Sequence, residues 1–73
     1  NGQNAIIIYP NPSKDIFIID TRLDVEVEVY DMRGRTIIKE RTKRINLEEY
    51  PNGIYHMTII YDNLRYSKKV IKQ

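Results

Sequence analysis

The groups in this sequence able to do chemistry are one histidine, His56, the hydroxyls of its serines and threonines, the carboxylates Glu26 and Glu28, and six tyrosines set among basic residues. Nucleophilic catalysis needs a Cys, Ser, Thr or Lys held against a base, with a third group orienting that base. His56 has neither a nucleophile nor an acid at a recognisable spacing, so it reads as an ordinary sheet-face histidine and no residue is assigned a catalytic role. Zinc takes three or four Cys, His or carboxylate ligands, and a single histidine without cysteine does not supply that set. No metal and no cofactor are expected. Glu26 and Glu28 would project from one strand face and could hold a hard cation, but alternating charge is also what a solvated face looks like, and the solvated face is the simpler reading. The tyrosines could stack on a sugar or on single-stranded nucleic acid. Their places at strand ends and alternating positions fit strand packing better.

Any such group would have to be positioned by very little scaffold. A chain of 73 residues buries only roughly 60% of its unfolded surface and supports one thin core, whereas a binding pocket usually occupies at least roughly 300 Å³. An enzyme is therefore not expected. Apolar residues at 41% and charged residues at 30% suit a folded globular domain rather than a disordered one. The longest apolar run, Ala5 to Tyr9, is far short of the roughly 18 residues that cross a bilayer, so no transmembrane segment is expected. A net charge of +2, with basic clusters at Lys39 to Arg44 and Arg65 to Lys72 offset by Asp24, Glu26 and Glu28, is too compensated for a nucleic-acid partner. Without cysteine, stability must come from packing and strand pairing.

Helical periodicity is absent, while alternating and β-branched runs recur between turn residues. They predict seven strands: Ala5 to Tyr9, Ile16 to Asp20, Val25 to Tyr30, Thr36 to Arg41, Ile45 to Leu47, Ile54 to Tyr61 and Leu64 to Lys72. Val25, Val27 and Val29 should face the core, with Glu26, Glu28 and Tyr30 in water. Tyr55 and Ile59 should also lie in the core, on a strand apolar enough on both faces to be central. Asp31-Met32-Arg33-Gly34 fits a type I turn whose aspartate accepts backbone hydrogen bonds and whose glycine takes positive φ. Asp62-Asn63 suits a two-residue type I′ hairpin. Pro51-Asn52-Gly53 reads as a further turn, and Pro10-Asn11-Pro12 should stop the first strand. Seven short antiparallel strands at this spacing predict a two-sheet β-sandwich.

Four segments, in this order, carry a resemblance to a known family. Ile8-Tyr9-Pro10-Asn11-Pro12, Val27-Glu28-Val29-Tyr30-Asp31-Met32-Arg33-Gly34-Arg35, Pro51-Asn52-Gly53-Ile54-Tyr55 and the basic, aliphatic ending Lys68-Lys69-Val70-Ile71-Lys72-Gln73 resemble the motifs of type IX secretion C-terminal sorting domains, type A. Each is weak alone, and the ordered set is specific. Tyr50 stands where the family commonly has Leu, an apolar exchange at a turn.

The resemblance implies an all-β, seven-stranded, immunoglobulin-like antiparallel sandwich over residues 6–73, with residues 1–5 as a linker from a fused upstream cargo domain. It implies a sorting signal: the cargo reaches the periplasm on its own signal peptide, this domain addresses the outer-membrane translocon, and a sortase-like cysteine protease removes the domain and attaches the cargo to the cell surface. Final localisation would be the outer-membrane surface or the extracellular space. Recognition would fall on Lys68, Lys69, Val70, Ile71 and Lys72 as an edge open to strand addition, although lysines there equally suit guarding an edge against aggregation. Gly34 and Gly53 read as turn requirements. An immunoglobulin-like adhesion or carbohydrate-binding module of a secreted enzyme shares the size and pattern. Position at the parent protein's C-terminus distinguishes the two.

Overall fold

The computed structural model describes residues 6–73, so the expected linker, residues 1–5, and Ala5 at the start of the first expected strand lie outside the described residues. Seven strands follow one another: β1 (Ile7–Tyr9), β2 (Ile16–Asp20), β3 (Glu26–Tyr30), β4 (Thr36–Glu40), β5 (Arg44–Asn46), β6 (Gly53–Tyr61) and β7 (Leu64–Lys72). They match the seven expected runs, with ends moved by a residue or so. Ile6, Val25, Arg41 and Leu47 fall outside the strands and Arg44 and Gly53 fall inside them, at ends where ladder hydrogen bonding gives way to turns. Leu47 still donates to the Asp15 carbonyl at 2.8 Å.

The strands form two antiparallel sheets, β1-β2-β5 and β4-β3-β6-β7. A constant-type immunoglobulin sandwich pairs its strands four against three. Here β4 stays beside β3 in the sheet of β6 and β7, which makes the division three against four.

Alternation decides the core. Ile8, Phe17, Ile19 and Ile45 face inward from the smaller sheet, and Val27, Val29, Tyr55, Met57, Ile59 and Val70 meet them from the larger. Val25 and Leu47, just beyond strand ends, are equally buried. β6 is an internal strand, as its two apolar faces require, with β3 on one side and β7 on the other.

The turns follow their residue chemistry. Asp31 Oδ1 accepts the Arg33 and Arg35 backbone N–H groups at 2.9 and 3.0 Å, the Gly34 N–H donates to the Asp31 carbonyl at 2.9 Å, and Gly34 sits at φ 82°. Asp62 and Asn63 take φ 48° and 65°, as a type I′ hairpin demands. Between Val29 and Tyr30 the β3–β4 register slips by one, so Ile37 bulges. The Tyr50 hydroxyl donates to the Ile37 carbonyl at 3.3 Å, which ties the β5–β6 turn to β4. A leucine at position 50 could not do this.

Candidate functional site

Strand β7 divides into two halves of different character. Residues Leu64 to Lys69 are exposed on both faces, whereas Val70 is 0% and Lys72 9% exposed and Ile71 is half-buried. The expected recognition edge of Lys68, Lys69, Val70, Ile71 and Lys72 is therefore not one surface. Pairing with β6 sets Val70 opposite Tyr55 on the core face, and Lys72 directs its Nζ to Asn52 Oδ1 at 2.9 Å. Lys68 and Lys69 alone present exposed charge.

The backbone edge of the buried half is occupied by the chain itself. After β1 ends, both Tyr9–Pro10 and Asn11–Pro12 are cis, and the chain runs alongside β7. The Asn11 side chain acts as a peptide group there: its Nδ2 donates to the Lys69 carbonyl at 3.1 Å and its Oδ1 accepts the Ile71 N–H at 3.0 Å. Ser13 continues the pairing, its N–H donating to the Ile71 carbonyl at 3.0 Å and its carbonyl accepting the Gln73 N–H at 2.9 Å. An edge open from the Lys69 carbonyl to Gln73 is thus excluded, because its outward donors and acceptors are already satisfied.

The other motif residues converge on the same end of the sandwich. The Tyr55 hydroxyl donates to the Pro51 carbonyl at 2.5 Å, fastening the turn, and Gly53 at φ 153° opens β6 opposite Lys72. Arg35 Nε bonds Asp31 Oδ2 at 2.9 Å, and the Asp31 to Arg35 turn shares a shallow depression with Asn52, Gly53 and Tyr55. Segments up to 60 positions apart therefore meet at one pole. Tyr9 is set apart from them, half-exposed on the outer face of β1.

One cluster was not foreseen. Glu28, expected in water beside Glu26, is only 9% exposed. Its carboxylate accepts the Tyr30 hydroxyl and lies 3.7 Å from Lys39 Nζ and 3.4 Å from an Arg65 guanidinium nitrogen. Register explains the difference, since Glu28 stands between Lys39 on β4 and Thr58 on β6, with β7 beyond. A single strand's alternation carries no information about such neighbours. The tyrosines also divide more widely than strand packing implies, for Tyr9 and Tyr66 are exposed.

The Tyr30 hydrogen bond holds the Glu28 carboxyl below its ordinary 4.5, opposed by burial and aided by the Lys39 and Arg65 charges. The Arg35 backbone N–H is the main group holding Asp31 below its ordinary 3.8. A depressed carboxylate contributes stability that is complete above its unfolded pKa and is lost as pH falls through the folded value. Stability should thus decline below pH 4.5, and Glu28→Gln should remove part of that decline. Urea midpoints of the two proteins should differ at about pH 6, and the difference should be smaller at about pH 3. An equal gap at both would show that Glu28 is not the titrating group.

His56 lies exposed on β6, and the Ser67 hydroxyl is paired with Thr58 Oγ1 at 3.2 Å. Among the described residues no group of three or more His, Cys, Asp or Glu is placed to hold a metal ion, and no helix is long and apolar enough to cross a membrane. A family model described as secretion system C-terminal sorting domain matches residues 7–73. No curated protein matches the chain.

Proposed function

Because this chain belongs to the secretion system C-terminal sorting domain family, whose members are sorting signals for type IX secretion, we propose that it directs a fused upstream cargo from the periplasm through the outer-membrane translocon. The cargo's own signal peptide brings it to the periplasm. A sortase-like cysteine protease then removes the domain and attaches the cargo to the cell surface, or releases it outside. The domain contributes a folded shape and performs no reaction. The observation that carries this reading is the family match across residues 7–73, which spans all seven strands.

Within that role, the pole where the motif segments meet is the natural address. Lys68 and Lys69 offer the exposed charge there, while Pro10, Asn11, Pro12, Gly34, Arg35, Pro51, Gly53 and Tyr55 hold its shape. The test is a fusion of residues 6–73 behind a periplasmic reporter in a bacterium with an active type IX system. The reporter should become accessible to protease added to intact cells. A folded fusion that stays periplasmic overturns the reading.

A further inference from the structure

The upstream half of β7 is a sheet edge of unusual length and regularity. The β6–β7 register runs unbroken from Gly53↔Lys72 to Tyr61↔Leu64, whereas β4, the opposite edge of the same sheet, is bulged and has five residues. A two-residue hairpin closes on a hydrogen-bonded pair, so Leu64, Tyr66 and Lys68 turn their backbone groups toward β6. Arg65, Ser67 and Lys69 then turn theirs outward, in phase with Ile71 and Gln73, whose outward groups Asn11 and Ser13 take up. No hydrogen bond from the described residues reaches the outward groups of Arg65 and Ser67. The chain protects one half of this edge and leaves the other bare.

Side chains around the bare half say what fits. Leu64 and Tyr66, 57% and 36% exposed, lie on the core side opposite Tyr61 and Ile59, an apolar ledge beyond the cover of the smaller sheet. Arg65 and Lys69 lie on the outer side, and Lys68 follows Tyr66 on the inner. An antiparallel second copy centred on Ser67 would set Arg65 against Lys69, like charges directly opposed, which disfavours self-pairing. The complementary strand carries apolar residues toward Leu64 and Tyr66 and carboxylates toward Arg65 and Lys69.

We propose that Leu64 to Lys69 is a strand-addition site for an extended partner segment alternating apolar and acidic residues. Backbone hydrogen bonds to Arg65 and Ser67 give the affinity, and the ledge and charges fix register and face. The site is a property of the sheet edge and stands independently of the export assay above.

The test titrates the domain with a peptide alternating valine and glutamate. Binding should weaken with salt and slow amide exchange at Arg65 and Ser67, with no change at Ile71 or Gln73. A peptide with proline at its centre should bind at least about tenfold more weakly, because proline cannot donate to the ladder. Ser67→Pro, which removes the outward N–H and, with the hydroxyl, the bond to Thr58, should cause a similar loss. Should that variant fail to fold, Arg65→Glu with Lys69→Glu decides: it should lose the glutamate peptide and bind the corresponding valine-lysine peptide instead. Equal binding of the proline-containing peptide, protection elsewhere in the domain, or absence of binding at millimolar peptide each overturns the proposal. The last outcome would leave the lysines as guards of the edge.

Discussion

Replacing Phe17 with alanine is expected to cost about 3–5 kcal/mol, the range for a fully buried aromatic truncated to a methyl group. Phe17 is 0% exposed and is the largest of the fully buried side chains. It sits on β2, the central strand of the smaller sheet, opposite Ile45, so the cavity would open in the middle of the layer that covers β3 and β6. A 73-residue chain has roughly 4–11 kcal/mol of stability in all, and no disulfide is present to limit the loss. The melting temperature should fall by at least about 12 °C, since each kcal/mol moves a domain of this size by about 4–8 °C. A fall below about 4 °C would mean that Phe17 does not organise the core. The same substitution in the reporter fusion should abolish surface exposure, because a signal read as a shape is lost with the shape.

The second large effect separates packing from recognition within β7. Val70→Asp places a carboxylate opposite Tyr55 where no surface is exposed. An unpaired buried charge costs about 4 kcal/mol or more, so the variant should lose cooperative unfolding at room temperature. Lys69→Asp, one position earlier, should change stability by no more than about 0.5 kcal/mol, as exposed substitutions do. Circular dichroism melts of the two proteins check this directly. A Val70→Asp protein melting close to the parent would place Val70 on the surface after all. If instead the pair behaves as expected, any export defect of Lys69→Asp reports recognition, and a defect of Val70→Asp reports only folding.

Asn11 illustrates how a motif can be visible while its work is not. Its flanking prolines announce the end of β1, and that much is local stereochemistry. Its amide bonds to Lys69 and Ile71 depend on the segment after β1 being brought beside the last strand, which no residue near Asn11 encodes. Glu28 makes the same point from the other direction. Alternation places it on the outer face correctly, yet water is displaced there by Tyr30, Lys39 and Arg65, contributed by three different strands.

Strand number, the inward valines of β3, the core positions of Tyr55 and Ile59, and the turns at Gly34 and Asp62-Asn63 were legible in the residues, because side-chain alternation and positive φ are properties of a few consecutive positions. Sheet membership, register and edge protection were not, because they depend on hydrogen bonds between segments far apart in the chain. The basic and aliphatic residues of the last strand were legible as one candidate surface. Folding then sorted that surface, drawing Val70 and Lys72 inward, sealing the edge from the Lys69 carbonyl to Gln73 with Asn11 and Ser13, and leaving Leu64 to Ser67 as the bare edge.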